Sequence, residues 1–257
     1  MIHIYNEKID QIPVLHVVRA NWTTEKLPTL IYYHGFTSEK ESSLALAYKL
    51  AERGIRVILP DSYLHGERSE DISLRELNMA FWDVVITNIE ELQTIRHYVT
   101  ETGLALQDRL IVGGTSMGAI TTYGALRVYD WIYGGLAFMG SPSFVDFANL
   151  LVERLNENSS TPINEDDVAK VIEKITPYDL AQRPSALNSR PLFIWHGTAD
   201  DVVPIAYNER FYRELLKDDR LRKNIHFLRE KDRAHHVSTW SIREATTWLV
   251  ELLEKSE

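Results

Sequence analysis

The run RLIVGGTSMGAITTYGALRV at 109–128 constrains the fold more than any other part of the sequence. It begins as a short apolar strand, passes through the pentapeptide GTSMG and turns directly into a helical pattern. A serine on such a turn has a strained backbone that requires small neighbours, and the helix directs its first N–H groups at developing negative charge. The run therefore predicts that Ser116 is a nucleophile. The alternative is a glycine-rich turn whose serine only caps the helix.

Other apolar, β-branched runs alternate with helical patterns along the chain. The predicted strands are 29–35, 56–60, 109–114, 135–140, 191–197 and 224–230. Several are apolar almost throughout, as expected of strands covered on both faces, and they predict an α/β fold with a mostly parallel sheet between helices. The run 12–19 alternates more and is predicted to pair at an antiparallel edge.

Helical periodicity predicts the connections between these strands. The predicted helices are 42–53, 73–102, 117–128, 205–217 and 238–254. Residues 141–190 depart from the alternation, with amphipathic segments at 144–155 and 165–175 joined by the polar turn ENSSTP. We interpret 141–190 as a small cap inserted into one α/β domain that spans 1–257, since the sequence has no repeat, low-complexity tract or linker.

A serine nucleophile needs a base, and the base needs a carboxylate that orients it. The run WHGTADDVVP follows one predicted strand and offers Asp200, and the run KDRAHHVS follows the next strand and offers His235. The order Ser, Asp, His is that of the α/β-hydrolase fold. Asp201 and His236 adjoin these residues and remain alternatives, because adjacent side chains point in different directions and only one of each pair can serve.

The oxyanion of an acyl-transfer reaction needs two backbone donors. Met117, directly after the serine, is expected to supply one. Phe36 is expected to supply the other, from the loop after an early strand, where Gly35 allows close approach of the backbone. The alternative is an ordinary glycine turn at the end of a strand.

Further residues near the expected site are candidates for the substrate pocket. His34 and His65 follow strands, at the edge where open α/β sheets bind ligands, and Phe144 begins the cap. Phe147 and Leu151 of the cap could line the pocket or belong to the core.

The charged loop at 59–70 lies at the same sheet edge. It carries Asp61, Glu67 and Arg68, for which a salt bridge is a commoner explanation than catalysis.

Composition restricts the partners and the chemistry. The net charge is −9 without a basic block, so no nucleic acid or anionic lipid partner is expected, and a homodimer is left open. The sequence has no cysteine, no paired histidines at metal-binding spacing and no apolar run of membrane length. We therefore expect a cytoplasmic protein that acts on a small-molecule ester without membrane attachment, metal or cofactor.

The motifs HGFTSEKE, DSYLHGER, GTSMG, MGSP, WHGTADDVVP and AHHVS occur in this order. Together they resemble bacterial esterases of the dienelactone-hydrolase and prolyl-oligopeptidase-like branch of the α/β-hydrolase superfamily. The resemblance implies an α/β-hydrolase fold with Ser116, Asp200 and His235 as the triad and the amides of Phe36 and Met117 as oxyanion donors. The chain departs from dienelactone hydrolases proper, which use a cysteine nucleophile, and from the peptidases of this branch, which carry a β-propeller.

The sequence thus predicts a serine hydrolase that cleaves carboxylic esters of short to medium acyl chains through an acyl-enzyme. A thioesterase, an acyltransferase or a small-peptide hydrolase with the same triad is an alternative that the sequence does not separate from an esterase. A binding protein on a hydrolase fold that has lost catalysis is a further alternative, against which the complete set of three residues argues.

Overall fold

The computed structural model describes residues 1–157 and 163–254, and an eight-stranded sheet lies at their centre. The strands are β1 (Ile2–Ile9), β2 (Ile12–Arg19), β3 (Leu27–Tyr33), β4 (Arg56–Pro60), β5 (Ala105–Thr115), β6 (Gly134–Phe138), β7 (Leu192–Gly197) and β8 (Ile225–Glu230). Their order in the sheet is β1-β2-β4-β3-β5-β6-β7-β8. Strands β3 to β8 pair in parallel, whereas β1 and β2 are antiparallel to their neighbours, so the mostly parallel sheet predicted from the sequence is confirmed.

The antiparallel edge differs from the prediction. Residues 12–19 form β2 and pair antiparallel as expected, but β2 lies between β1 and β4 and is not the edge strand. The edge is β1, which forms a hairpin with β2 through a tight turn where Asp10 has a φ of 55°. The sequence did not identify β1 because polar residues interrupt its alternation and only Ile9 is buried.

Helices cover both faces of the sheet. They are α1 (Leu44–Ala51), α2 (Leu74–Met79), α3 (Phe81–Glu101), α4 (Met117–Val128), α5 (Phe144–Glu157), α6 (Glu165–Ile175), α7 (Ala206–Leu215), α8 (Asp219–Arg222) and α9 (Thr239–Glu254). Alternate residues of β3 belong to two separate apolar clusters, with Ile31 in the cluster that α3 and α4 cover and Leu30 in the cluster that α1 and α9 cover. The strands are therefore buried on both sides, which explains their apolar sequences.

The long helix predicted over 73–102 is two helices. Ser73 and Glu76 form a capping box that starts α2, and the chain then bends at Ala80 before α3 begins. No residue of α2 is buried, whereas Phe81 and Trp82 at the start of α3 are buried in the core. The bend turns these two aromatic side chains inward, an effect of packing that helical periodicity does not reveal.

Residues 141–190, predicted to form a cap, connect β6 to β7 and contain α5 and α6. The two helices match the amphipathic segments closely, and both lie against α3 or its neighbours, where Phe147 packs against Phe81 and Lys174 pairs with Asp83. Most of the ENSSTP turn lies outside the described residues. Within 1–157 and 163–254, no helix has the length and apolar character needed to span a bilayer.

Candidate active site

Ser116 lies on a strained turn between β5 and α4. Its φ of 54° and ψ of −112° are unusual for a residue with a side chain. A Cβ atom on Gly114 would lie 2.2 Å from the carbonyl carbon of Gly118, and one on Gly118 would lie 2.1 Å from the carbonyl oxygen of Tyr33. Only glycine fits at these two positions, because the strand, the turn and the helix come into backbone contact there.

The side chain of Ser116 forms no capping hydrogen bond with α4 and instead faces His235. Nε2 of His235 lies 2.8 Å from Oγ of Ser116, and Nδ1 of His235 lies 2.7 Å from Oδ2 of Asp200. The three residues follow β5, β7 and β8, whose carboxyl ends meet at the same edge of the sheet. The structure thus brings together the three residues that the sequence selected.

Asp200 is buried, and both of its carboxylate oxygens accept hydrogen bonds. Its Oδ1 accepts the backbone N–H groups of Val202 and Val203, at 3.0 and 2.9 Å. Burial by itself would raise the pKa of Asp200, but hydrogen bonds from His196, His235 and the Val203 amide outweigh burial and hold the pKa below its usual value. The carboxylate is therefore ionised whenever His235 could act as a base.

Asp201 and His236, the alternatives to Asp200 and His235, lie at the surface. Asp201 is exposed, and its carbonyl oxygen accepts a hydrogen bond from Arg154 of α5 at 2.7 Å. His236 is exposed at the rim of a cavity next to Ser116. Asp200 rather than Asp201, and His235 rather than His236, are therefore connected to Ser116.

A buried histidine that the sequence analysis did not consider lies behind Asp200. Nε2 of His196 is 2.8 Å from the carbonyl oxygen of Val203 and 3.1 Å from Oδ2 of Asp200. Both partners are acceptors, so this nitrogen carries the proton. Nδ1 of His196 then accepts from the amide nitrogen of Asn208, at 2.8 Å.

Asn208 links this histidine to α4, the helix that follows Ser116. Its Nδ2 also donates to the carbonyl oxygen of Gly140 at 2.7 Å, and its Oδ1 accepts from the hydroxyl of Tyr123 in α4 at 2.6 Å. Tyr123, Asn208 and His196 are all fully buried. In this series of hydrogen bonds, Tyr123 donates to Asn208, Asn208 to His196 and His196 to Asp200, without a conflict of donors or acceptors. The series connects α4, α7 and β7 and holds Asp200 in one position. In the sequence, the run WHG at the end of a predicted strand was the signal that could have pointed to His196.

The predicted oxyanion donors lie beside Ser116. Met117 is the first residue of α4, where backbone N–H groups have no acceptor within the helix. Phe36 lines the same cavities as Ser116. A Cβ on Gly35 would lie 3.6 Å from Cβ of Ser116, an ordinary contact, so the loop approaches Ser116 closely without a steric requirement for glycine.

A buried ion pair between Lys40, which the sequence analysis did not consider, and Asp61 joins the chain after Phe36 to the loop at 59–70. Nζ of Lys40 lies 2.7 Å from Oδ2 of Asp61 and 2.7 Å from Oε1 of Glu67, and the backbone N–H of Lys40 donates to Oδ1 of Asp61. Lys40 and Asp61 are almost completely buried. The salt-bridge interpretation of the loop at 59–70 is confirmed, with Lys40 as the partner of Asp61 and Glu91 as the partner of Arg68.

The three pocket candidates lie behind the cavity walls. Nδ1 of His34 donates to the carbonyl of Gly35, and its Nε2 accepts from the Ser62 amide; burial lowers the pKa of His34 to about 4. His65 packs its ring 5.4 Å from the rings of His34 and Phe36. His34 thus bonds to nearby backbone through both ring nitrogens, whereas His65 does so through Nδ1, and its buried Nε2 has no partner among the described residues.

Phe144, the third candidate, is fully buried and packs against Trp82 with ring centroids 5.1 Å apart. Its ring belongs to the main apolar cluster and packs the first residue of α5 against α3.

Two cavities meet at Ser116. The His235 cavity, of about 350 Å³, is lined by residues that include Ser38, Ser42, Ser43, Thr115, Ser116 and His235. The α5 cavity, of about 330 Å³, is lined by residues that include Phe36, Ser116, Ile120, Phe147, Leu151 and Val203. Phe147 and Leu151 thus line a cavity, one of the two readings left open for the cap. The two cavities differ in character. Several hydroxyl-bearing side chains line the first among apolar ones such as Leu46 and Met139, whereas apolar side chains bound most of the second.

A third cavity lies between α3, α5 and α6. This α6 cavity, of about 70 Å³, is lined by residues that include Phe81, Trp82, Leu151, Val168, Val171 and Ile172. Within the ranges that the structure describes, no group of three His, Asp or Glu side chains is arranged to hold a metal ion.

Comparisons with known proteins identify the family of the chain. The model of the Prolyl oligopeptidase family matches residues 47–255. The protein named "Putative esterase YitV" from Bacillus subtilis (strain 168) is 36% identical over 250 residues, which cover 96% of this chain and 98% of that protein. Esterase YjfP from Escherichia coli (strain K12) is 34% identical over 220 residues, or 86% of this chain and 87% of YjfP.

Among solved structures, TT1662 from Thermus thermophilus superimposes with a TM-score of 0.76 at 22% identity, over 99% of both chains. At that identity the likeness concerns the fold, and it supports the α/β-hydrolase architecture predicted from the sequence. The resemblance to esterases of the prolyl-oligopeptidase-like branch is confirmed by the family match and by the two relatives.

Proposed function

The chain belongs to the prolyl oligopeptidase family and is a carboxylic ester hydrolase, and from this premise we propose that Ser116 is its nucleophile, His235 its general base and Asp200 the carboxylate that orients the base. The amides of Met117 and Phe36 hold the oxyanion. The substrate is a small-molecule ester, and the reaction proceeds through an acyl-enzyme on Ser116.

One observation carries this proposal. The path from Ser116 Oγ through both ring nitrogens of His235 to Asp200 is continuous, with distances of 2.8 and 2.7 Å. A serine hydroxyl is a weak nucleophile near neutral pH, and this arrangement supplies the proton acceptor that it needs. Because Nδ1–H of His235 donates a hydrogen bond to Asp200, Nε2 of His235 is left unprotonated and free to accept the proton of Ser116.

In the proposed reaction, Oγ of Ser116 bonds to the ester carbonyl carbon while its proton moves to Nε2 of His235. The carbonyl oxygen becomes an oxyanion that accepts hydrogen bonds from the amides of Met117 and Phe36, each worth ~10²–10³ in turnover. His235 then protonates the alcohol oxygen as the C–O bond breaks. Water, activated by His235, repeats the sequence on the acyl-enzyme and releases the carboxylic acid and Ser116.

The size of the site supports a small substrate. Each of the two cavities at Ser116 measures about 330 to 350 Å³, within the range typical of small-molecule sites. The strained backbone of Ser116 and the buried network behind Asp200 both serve to hold reacting groups in place before substrate arrives. The cytoplasm remains the location predicted from the sequence.

The test compares wild-type protein with Ser116→Ala and with Ser69→Ala, an exposed serine that serves as the matched control. Hydrolysis of p-nitrophenyl acetate and labelling by a fluorophosphonate are measured for all three proteins. We expect Ser116→Ala to lose ~10⁶ in kcat and all labelling, and Ser69→Ala to behave as wild type. Labelling or hydrolysis that survives in folded Ser116→Ala would refute Ser116 as the nucleophile.

A further inference from the structure

We propose that this enzyme acts on esters of linear acyl chains longer than butyryl, and that the acyl chain passes from Ser116 through the α5 cavity towards the α6 cavity. This inference rests on the proposed function, because it takes Ser116 as the nucleophile and His235 as the acid that protonates the alcohol.

The position of His235 decides which cavity receives which half of the ester. His235 lines the hydroxyl-rich His235 cavity and does not contribute to the α5 cavity. The alcohol oxygen must come within hydrogen-bond reach of Nε2 of His235 when the C–O bond breaks. The alcohol therefore occupies the His235 cavity, and the acyl chain occupies the α5 cavity, which also opens at Ser116.

The walls of the α5 cavity suit a hydrocarbon chain. Ile120 of α4 and Phe147 and Leu151 of α5 are among the side chains that bound it. Each methylene that moves from water into such surroundings is worth roughly a factor of four in kcat/KM.

The α5 cavity adjoins the α6 cavity. Four residues, Asn78, Phe81, Leu151 and Leu155, line both cavities and form the boundary between them. An acyl chain that passes this boundary reaches Trp82 and Val168 at the far end. The α6 cavity measures only about 70 Å³, so it admits the end of a narrow polymethylene chain and excludes a bulky ring or a peptide.

Among the described residues that line these two cavities, the charged ones are Arg154 and Asp167. Arg154 lines the α5 cavity, and its guanidinium donates to the carbonyl oxygens of Asp201 and Val202, at 2.7 Å each. Asp167 lines the α6 cavity and pairs with Lys170 at 3.0 Å on the exposed face of α6. The boundary between the two cavities is apolar apart from Asn78, whose amide donates to the carbonyl oxygen of Leu74 at 2.8 Å.

The experiment measures kcat/KM for p-nitrophenyl acetate, butyrate, octanoate and decanoate below their micellar concentrations. Val168→Trp fills the α6 cavity, Leu151→Ala opens the boundary, and Lys170→Trp adds the same bulk to the exposed face of the same helix as a control. We expect wild type to prefer octanoate over butyrate. Val168→Trp is expected to lower the decanoate-to-butyrate ratio about tenfold, Leu151→Ala to raise it, and Lys170→Trp to leave it within about twofold of wild type.

Two results would overturn the inference. One is a wild-type rate that falls from butyrate to octanoate, and the other is an equal decanoate-to-butyrate ratio in Val168→Trp and Lys170→Trp. Leu151→Ala provides an independent test if Val168→Trp fails to fold, because the expected change has the opposite sign.

The failure of this inference is distinguishable from the failure of the proposed function. If wild-type protein hydrolyses no ester and takes no fluorophosphonate label, the proposed function fails. If acetate is hydrolysed and the label is taken but chain length has no effect, only the acyl route fails. Labelling rates with ethyl and decyl fluorophosphonates test the same route with probes that lack p-nitrophenol. We expect Val168→Trp to slow labelling by the decyl probe and to leave labelling by the ethyl probe unchanged.

Discussion

Nε2 of His196 lies 3.1 Å from Oδ2 of Asp200, the same oxygen that lies 2.7 Å from Nδ1 of His235. Two imidazole N–H groups therefore donate to one carboxylate oxygen, one from the reactive side and one from the interior. The interior histidine is itself fixed by Asn208 and through it by Tyr123 of α4. His196 is thus placed to act as a positioning residue that tunes the charge of Asp200.

Replacing His196 by Leu removes one donor from Asp200 and raises the pKa of that carboxylate. We expect a lower kcat, because the carboxylate that orients His235 is then held by one partner fewer. His196→Gln retains a side-chain N–H donor and should restore kcat in part. A kcat equal to wild type in His196→Leu, or no recovery in His196→Gln, would limit His196 to a packing role.

Replacing Asp200 by Asn should lower kcat by ~10⁴, as expected when the residue that orients a catalytic histidine loses its charge. The matched change Asp201→Asn should alter kcat by less than about threefold, because the structure uses the carbonyl of Asp201 and leaves its side chain exposed. Steady-state rates on one activated ester decide the matter. Similar losses in both variants would contradict the assignment of Asp200.

Replacing Lys40 by Met leaves Asp61 buried without its cation. We expect a loss of about 3–5 kcal/mol in the free energy of unfolding, measured by urea denaturation, together with a lower kcat because the loop that carries Phe36 loosens. Lys217→Met removes an exposed ion pair with Glu214 and should cost less than about 1 kcal/mol.

The double variant Lys40→Met/Asp61→Asn separates charge from packing. It should be more stable than Lys40→Met alone, since no unpaired carboxylate remains in the interior. Equal stability of the single and the double variant would show that the buried charge of Asp61 is not the cause.

His34 makes the stability of the protein depend on pH. Burial lowers its pKa from 6.5 to about 4, so the unfolded chain binds a proton that the folded protein does not bind between these values. Stability is fully present above about 6.5 and decreases as the pH falls towards about 4. Between pH 7 and pH 5 we expect a loss of about 2 kcal/mol from His34, measured by urea unfolding.

His34→Gln isolates this contribution, because His16 and His65 are also buried with lowered pKa values and remain in both proteins. The variant should lose about 2 kcal/mol less than wild type over the same pH interval. An equal pH dependence in the two proteins would contradict a neutral, buried His34.

Sequence by itself determined the features that arise from local rules. The strand, the GTSMG turn and α4 are adjacent in the chain. Ser116 can therefore be identified without tertiary information, from the hydrophobic periodicity on either side of it and from the glycines that flank it. Asp200 and His235 could be selected because parallel strands end at a common edge, which places the residues after β7 and β8 beside those after β5.

Tertiary structure decided everything that depends on packing between distant segments. Tyr123, Asn208 and His196 come from three elements, and their connection depends on how α4 and α7 lie against β7. His34 and Phe144 follow the right strands, yet their side chains point into the interior because backbone acceptors and aromatic partners are available there. The orientation of a side chain in a loop and the shape of a cavity have no period along the chain, and only the folded packing fixes them.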